Sequence, residues 1–309
     1  MRIDLLQTHK LLDTCEAALA DRFTVHKLHQ ADDRDTFLAK VGPSIRGVAG
    51  GSVDAALMDK LPKLEIIANF GVGYDTIDTK AARQRKIRVT NTPEVLSDAV
   101  AETAMALMIS LARQVPQADR FTRDGKWEAG NYPFTHELRG KTVGILGLGR
   151  IGKEIAARCQ AFKMRIIYHG RHRQPTEPHL YYDDLEAMAG DSDWLVLVAP
   201  GGASTDGIVS RRVLEALGPE GYLVNVGRGS LVDEPAMIEL LASGTLGGAG
   251  LDVYADEPRV PEALRKLANT VLTPHYASAT RTTRNAMGAL VVHNLDAHFS
   301  GEPLPSAVV

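Results

Sequence analysis

The sequence predicts an α/β protein with two doubly wound parallel-sheet domains. Short and nearly continuous apolar segments alternate with helical segments along most of the chain, as expected for parallel strands that are buried on both faces. A long helical segment, 97–113, separates a first alternating unit from a second, and another helical segment, 281–300, follows the second. We expect this last helix to return to the first unit. The predicted domains are therefore 1–97 with 282–309, and 98–281.

The first unit contains strand-like segments that are separated by helical ones. Each strand-like segment is brief, apolar and flanked by turn residues or polar residues. They occupy 46–49, 64–68 and 87–90, and helical segments lie between them at 52–61 and 79–85. The sequence thus predicts a small α/β domain before the long helix.

The long helix begins at Ser97 and has apolar or small residues at three- and four-residue steps, which indicates one continuous packing face. Pro116 should end or bend it, with one or two further helical turns up to Arg123. A loop that contains Gly130 and Pro133 follows before the next strand.

The second unit is more regular than the first. Its predicted strands are 142–146, 165–168, 194–198, 222–226, 250–253 and 270–272, and its predicted helices are 151–162, 210–217 and 234–243. This repeated strand–helix–strand order predicts one doubly wound sheet.

Composition narrows the classes of partner. The net charge of −3 does not favour nucleic acid or an anionic membrane surface. Cys15 and Cys159 are too few for a disulfide framework and match no metal-site spacing. The chain has no apolar segment of membrane-spanning length and no signal-peptide pattern at its N-terminus. We therefore expect a cytoplasmic protein with a small-molecule substrate.

A glycine fingerprint follows the first strand of the second unit. The segment Gly147-Leu148-Gly149-Arg150-Ile151-Gly152 matches G-x-G-x-x-G between a buried-strand pattern and a helix. There the first glycine permits a tight turn, the second lets backbone approach a pyrophosphate, and the third lets helix and strand pack closely. The helix N-terminus offers amides to the anion. The motif predicts a Rossmann-type dinucleotide site, and a turn without a ligand is the less favoured alternative.

The second strand of this unit ends without the acidic residue that usually binds the ribose 2′-hydroxyl. The chain instead reads Gly170-Arg171-His172-Arg173. A glycine leaves room for a 2′-phosphate, and an arginine can bind it through two hydrogen bonds. We therefore expect NADPH rather than NADH, with Arg171 as the first contact and Arg173 as the second. The alternative, that this is a solvated loop that does not select between the cofactors, is not excluded by the sequence.

Three chemically useful residues follow successive strands of the second unit. Arg228, Glu257 and His275 each come after a predicted strand, and ligands of open α/β sheets bind beyond the carboxyl ends of strands. Reduction of a 2-oxo acid needs a cation for the carboxylate, a proton donor for the developing alkoxide, and a group that keeps the donor protonated. Each residue alone could be structural, but their joint placement favours catalysis.

The chain resembles the D-isomer-specific 2-hydroxyacid dehydrogenase family over nearly its whole length. The resemblance lies in NFGVGYD at 69–75, the glycine fingerprint, VNVGRGSLVDE at 224–234, and GAGLDVYADEP at 248–258 continuing to Pro274-His275. Within the family, the chain is most similar to glyoxylate/hydroxypyruvate reductases and plant hydroxyphenylpyruvate reductases. The resemblance implies a smaller flavodoxin-like substrate domain, and a homodimer whose interface includes the helix and loop at 97–135.

The resemblance also implies residue roles. Arg228 would hold the substrate carboxylate and carbonyl oxygen, His275 would be the acid/base residue, and Glu257 would be its partner. The amides of Val72 and Gly73 would receive the carboxylate. The remaining implied contacts are Ser278 with the substrate and, with the cofactor, Ser97, Ala199, Pro200, Val226, Gly227 and Asp252, together with Arg228 and His275.

We expect NADPH-dependent reduction of a small 2-oxo acid, glyoxylate or hydroxypyruvate, to the D-2-hydroxy acid, with His275 as general acid and NADH as the weaker cofactor. Tyr276-Ala277-Ser278 departs from the aliphatic residue and glycine that relatives usually have. A bulkier substrate, such as 2-ketogluconate or hydroxyphenylpyruvate, therefore remains an alternative. A non-catalytic nucleotide-sensing scaffold is a further alternative. A formate dehydrogenase is less favoured, because those relatives have glutamine in place of Glu257.

No metal site is expected. His169, His172 and His179 are irregularly spaced in a loop, and His293 and His298 lie five residues apart on a predicted helix, where they do not share a face well.

Overall fold

Every ladder between the strands is parallel, as the continuous apolar segments of the sequence predict. The computed structural model describes residues 2–309, and within them the strands form one five-stranded and one seven-stranded sheet. The sheets belong to different units: the residues up to Leu96 with Ser278–Val309 form the first unit, and Ser97–Ala277 form the second. The predicted fold class, two parallel-sheet α/β domains, is confirmed.

The first unit has its sheet in the order β2-β1-β3-β4-β5. The strands are β1 (Asp4–Gln7), β2 (Thr24–Lys27), β3 (Ile45–Gly50), β4 (Ile66–Asn69) and β5 (Arg88–Thr90). The helices between them are α1 (Asp13–Arg22), α2 (Arg34–Val41), α3 (Ala55–Asp59) and α4 (Thr79–Gln84).

The second unit begins with α5 (Ser97–Arg113) and α6 (Val115–Arg123), and its sheet has the order β12-β11-β10-β9-β6-β7-β8. The strands are β6 (Thr142–Leu146), β7 (Arg165–His169), β8 (Leu180–Tyr182), β9 (Trp194–Leu197), β10 (Tyr222–Asn225), β11 (Gly248–Leu251) and β12 (Thr270–Leu272). The helices are α7 (Arg150–Ala161), α8 (Leu185–Gly190), α9 (Arg211–Leu217), α10 (Glu234–Ser243) and α11 (Glu262–Arg265).

Helix α12 (Arg281–Ser300) returns the chain to the first unit, where it packs against α1 and β4. A Cβ added at Gly288 would lie 2.8 Å from the Cβ of Cys15, so this glycine lets α12 and α1 approach closely. Val291 and Leu295 of α12 join the apolar cluster of Leu5 and Ile66. The last helix therefore covers, together with α1, one face of the first sheet.

Alternating residues of the first sheet are buried on opposite faces. Leu6 and Ile67 belong to one apolar cluster, whereas their neighbours Leu5 and Ile66 belong to the other. This two-sided burial explains why the central strands lack the in–out polarity of an antiparallel sheet.

Aspartates begin several of the helices. Each accepts a hydrogen bond from a backbone N–H of the first helical turn, which satisfies a donor that the helix itself cannot pair. The capping residues are Asp33, Asp54, Asp78, Asp184 and Asp233. Within residues 2–309, no helix has both the length and the apolar character that crossing a membrane requires.

Candidate active site

The turns that carry Arg228, Glu257 and His275 lie at one edge of the second sheet. They follow β10, β11 and β12, which are adjacent parallel strands, so their carboxyl ends point the same way. A Cβ added at Gly229 would lie 1.9 Å from the carbonyl carbon of Tyr254. The turn after Arg228 is therefore in direct backbone contact with the segment that leads to Glu257.

The side chains of Glu257 and His275 are joined by a hydrogen bond. The Nδ1 atom of His275 lies 2.6 Å from Oε2 of Glu257. The other carboxylate oxygen, Oε1, accepts the backbone N–H of Tyr254 at 3.1 Å, which fixes the plane of the carboxylate. Because Nδ1 is engaged, Nε2 is the ring nitrogen that can serve a ligand. The His275 side chain is 48% exposed, so a ligand can reach it.

Asp252 holds the loop that carries His275. Its side chain is buried, and Oδ1 accepts the Thr273 hydroxyl at 2.7 Å and the Tyr276 amide at 2.9 Å. Oδ2 accepts the amide of Ala277 at 3.0 Å, and the Asp252 carbonyl accepts the amide of His275 at 2.8 Å. Asp252 thus binds the loop on both sides of the histidine, and its expected contact with the cofactor stays a prediction.

Tyr254 supports the same loop, a role that the sequence pattern does not reveal. Its hydroxyl donates to the carbonyl oxygen of Thr273 at 2.9 Å, two residues before His275. Burial raises the pKa of Tyr254 to about 12, with a further contribution from the Asp252 carboxylate. The phenol therefore stays a hydrogen-bond donor. Tyr254 thus supports both residues: its backbone N–H binds Glu257, and its hydroxyl binds the loop that carries His275.

A buried asparagine closes the turn before Arg228. The Nδ2 group of Asn225 donates to the carbonyl of Arg228 at 2.8 Å, and Oδ1 accepts the amide of Gly227 at 3.0 Å. The Arg228 side chain itself donates from Nη1 to the Gly227 carbonyl at 2.8 Å. Val226 is buried within this turn. The guanidinium thus projects from a turn whose backbone is fixed.

The glycine turn after β6 fits a dinucleotide pyrophosphate. Gly147 has a φ of +101°, which favours glycine, and a Cβ there would lie 2.8 Å from the amide nitrogen of Ala199. A Cβ at Gly152 would lie 2.2 Å from the Gly147 carbonyl oxygen, so helix α7 can approach β6 only without a side chain. No heavy atom lies within 4 Å of a Cβ built at Gly149, where α7 begins without a side-chain cap. The N-terminal amides of α7 are therefore open to an anion.

Backbone contacts connect the glycine turn to the Arg228 turn. Ala199, just beyond β9, lies against Gly147, and a Cβ at Gly227 would lie 3.0 Å from the Ala199 carbonyl oxygen. The fingerprint and the turn that carries Arg228 thus share the carboxyl edge of one sheet. Leu148 is buried beneath this edge, whereas Pro200 is exposed beyond it.

The basic loop after β7 is anchored beside the glycine turn. Gln174 donates from Nε2 to the Leu148 carbonyl at 2.6 Å, and its amide donates to the Tyr168 hydroxyl at 2.8 Å. A Cβ built at Gly170 has no heavy atom within 4 Å, so the space beside it is open. The side chains of Arg171, His172 and Arg173 are exposed.

The remaining predicted site residues are distributed over both units. Ser97 is buried at the start of α5 in the second unit. Val72 and Gly73 lie in the loop that follows β4 in the first unit, and Ser278 also belongs to that unit. Among residues 2–309, no three His, Cys, Asp or Glu side chains are grouped so that they could hold a metal ion.

Comparison with known proteins gives consistent matches. The family model described as "D-isomer specific 2-hydroxyacid dehydrogenase, NAD binding domain" matches residues 105–277. A hydroxyphenylpyruvate reductase of Plectranthus scutellarioides is 45% identical over 297 residues, which is 95% of each chain. Glyoxylate/hydroxypyruvate reductase A of Arabidopsis thaliana is also 45% identical, with the same coverage.

A solved structure is similar over the full chain. It is the NADPH-dependent glyoxylate/hydroxypyruvate reductase of Sinorhizobium meliloti, in complex with NADP and malonate. It is 44% identical and has a TM-score of 0.95, with 100% of this chain and 97% of that chain covered.

Proposed function

Because the chain belongs to the D-isomer specific 2-hydroxyacid dehydrogenase family, we propose that it is an NADPH-dependent reductase of a small 2-oxo acid, glyoxylate or hydroxypyruvate. The product is the D-2-hydroxy acid. The 2.6 Å contact between Glu257 and His275, on the same sheet edge as Arg228 and the glycine turn, carries this proposal. Family membership itself makes the chain an oxidoreductase that binds a nicotinamide cofactor.

In the proposed reaction, the reduced nicotinamide supplies the hydride when it is bound. Arg228 binds the substrate carboxylate through charge-assisted hydrogen bonds and polarises the carbonyl group. His275 donates the proton on Nε2 to the carbonyl oxygen, and in the reverse direction it accepts that proton. Glu257 accepts the hydrogen on Nδ1 and so fixes the ring orientation and the nitrogen that reacts. The amides of Val72 and Gly73 also bind the carboxylate.

The preference for NADPH rests on the loop at 170–173. Open space at Gly170 and the exposed guanidinium groups of Arg171 and Arg173 suit a 2′-phosphate. The contact between Gln174 and Leu148 keeps this loop beside the turn that receives the pyrophosphate. The S. meliloti relative, which is NADPH-dependent, supports the same choice.

A homodimer is part of the proposal. Helix α6 has no buried residue, and the loop after it exposes 66% of Trp127 and the whole of Phe134. Large apolar side chains that are exposed to solvent are typical of an interface. We place the protein in the cytoplasm, since Cys15 and Cys159 are free and buried, as is usual in a reducing compartment.

A bulkier 2-oxo acid is the second candidate. A hydroxyphenylpyruvate reductase is as similar to this chain as the plant glyoxylate/hydroxypyruvate reductase is, at 45% identity each. Tyr276, which follows the acid/base residue, is 45% exposed and departs from the aliphatic residue usual at this place. In this second candidate, Tyr276 changes the space offered to a substrate side chain.

The test is a substrate panel measured on the native protein and on His275→Ala. Initial rates with glyoxylate, hydroxypyruvate, 2-ketogluconate and hydroxyphenylpyruvate, each with NADPH and NADH, identify the substrate class. We expect His275→Ala to lose at least about 1,000-fold in kcat, because the proton donor is gone, while NADPH still binds. Unchanged turnover in the variant would remove His275 from the mechanism. No turnover by the native protein would favour a nucleotide-sensing scaffold.

A further inference from the structure

The loop after β4 has its carbonyl groups bound by side-chain amides. Asn69, the last residue of β4, is only 4% exposed. Its Nδ2 group donates to the carbonyl oxygens of Gly71 and Gly73, at 2.9 Å each. Asn91, just beyond β5, donates from Nδ2 to the carbonyl oxygen of Val72 at 2.9 Å. Amide donors therefore occupy three consecutive carbonyls of this loop.

The surroundings of Asn69 fix its side chain in this arrangement. A Cβ added at Gly51 would lie 2.7 Å from Oδ1 of Asn69, so the missing side chain at Gly51 makes room for the amide. Both hydrogens of Nδ2 are used by the loop, and an amide has no third one to offer. The Gly71 carbonyl accepts a second hydrogen bond, from the backbone amide of Thr92 at 3.0 Å.

This arrangement determines the polarity that the loop offers to a ligand. Since its carbonyls are engaged, the backbone groups that it can offer are the N–H groups, and successive N–H groups bind anions. A carboxylate needs such donors. We propose that Asn69 is a positioning residue, which holds the loop so that the amides of Val72 and Gly73 bind the carboxylate of the substrate. The identity of that carboxylate as a 2-oxo acid rests on the proposed function.

Asn69→Ser tests this inference, because it removes both amide N–H donors and leaves only a short hydroxyl side chain. The matched control is Asn269→Ser, since Asn269 also bridges two carbonyls, those of Leu241 and Gly247, but immediately before β12. Two measurements are made on the full-length protein with NADP(H): the KM and kcat for glyoxylate, and calorimetric binding of oxalate, a carboxylate that cannot be reduced. The dissociation constant of NADPH and the thermal midpoint are measured for each variant.

For Asn69→Ser, we expect the KM for glyoxylate and the dissociation constant of oxalate to rise together by at least about tenfold, while NADPH affinity stays within about twofold. Asn269→Ser should change neither constant. If Asn69→Ser does not fold, Asn69→Asp, which keeps the shape of the side chain but cannot donate, replaces it. Retained oxalate affinity in the folded variant overturns the inference, as does a native protein that binds no oxalate. Oxalate binding that depends on Asn69 in a protein without turnover would keep the inference and refute the proposed function.

Discussion

His275 adopts a backbone conformation that few residues other than glycine adopt. Its φ is +49°, in the left-handed region, which costs about 1 kcal/mol or more for a residue with a side chain. The hydrogen bonds from the loop to Asp252 offset this cost, because they fix the amides of the two residues that follow and the amide of His275 itself. The histidine is therefore placed by the fold before a ligand arrives.

Tyr254→Phe should lower kcat without weakening cofactor binding. The variant keeps the ring but removes the donor to the Thr273 carbonyl, so the His275 loop loses one of its supports. We expect kcat to fall about 3- to 30-fold, which corresponds to about 0.7–2 kcal/mol, and the KM for NADPH to stay the same. Tyr222→Phe is the control, since Tyr222 stacks on Trp194 away from this loop. Equal kcat values for the variant and native protein would contradict a positioning role for Tyr254.

Arg171→Ala should separate the two cofactors. If the Arg171 guanidinium binds the 2′-phosphate as proposed, its loss should raise the KM for NADPH about 10-fold or more and leave the KM for NADH nearly unchanged. Steady-state kinetics with each cofactor checks this, and Arg212→Ala, an exposed arginine paired with Glu186, serves as the control. An equal effect on both cofactors would show that the loop is only solvated.

At the residue scale, the sequence indicated which strand ends carry the candidate site but not which residues support it. Arg228 and His275 could be selected because functional side chains at the ends of parallel strands share one edge. Asn69, Asn225 and Tyr254 could not, because their hydrogen-bond partners depend on loop conformations that no periodicity encodes. The one available signal was an asparagine that ends a strand just before a glycine-containing turn.

At the scale of elements, the long segments were predicted best. The bounds of α5, α10 and α12 agree with the sequence pattern, because each helix has an apolar face that recurs over several turns. Strands β2 and β8 were missed, because they lie at sheet edges and are not buried on both faces, so they lack a continuous apolar segment.

The predictions for two interior strands were also in error: one strand was missed and the other was displaced. Strand β1 was missed because its apolar part is only Leu5 and Leu6. Strand β11 was expected at 250–253 and lies at Gly248–Leu251, because two of its four residues are glycines that a strand pattern does not favour. The chain leaves the strand before Asp252, which is therefore free to bind the His275 loop.

Helix α6 and the loop after it offer a test at the same scale. If this surface is the dimer interface, the double change Trp127→Asp and Phe134→Asp should produce monomers, because it places charges in an apolar contact. Light scattering after gel filtration, at micromolar concentrations, measures the mass. Leu180→Asp is the control, because Leu180 is also exposed but lies on edge strand β8. A native protein that is already monomeric would contradict the proposed dimer.

For the whole molecule, acid should weaken the first unit through Glu16. Burial alone would raise the pKa of Glu16, but hydrogen bonds from Lys27, Gln7 and the amide of Leu11 together lower it to about 2. Since the pKa is lowered on folding, the carboxylate stabilises the folded state fully above its unfolded value of about 4.5. This contribution is lost as the pH falls toward 2.

Glu16→Gln should therefore destabilise the protein most at neutral pH. The expected loss in the free energy of unfolding is on the order of 2 kcal/mol at pH 7, and it should shrink as the pH falls below about 4. Urea unfolding of both proteins at several pH values measures this difference. Glu215→Gln, at an exposed ion pair with Arg211, should have little effect at any pH. A difference that does not change with pH would contradict the role given to Glu16.

Helix α12 makes the first unit depend on both ends of the chain, and this matters during synthesis. The apolar face formed by Leu5 and Ile66 is covered only in part, by residues of α1 such as Leu19, until Val291 and Leu295 have left the ribosome. The second unit, Ser97–Ala277, is by then fully translated and can fold first. The nascent N-terminal segment must therefore wait, with apolar surface exposed, until almost the entire polypeptide has emerged. This makes it the part that a ribosome-associated chaperone would need to shield.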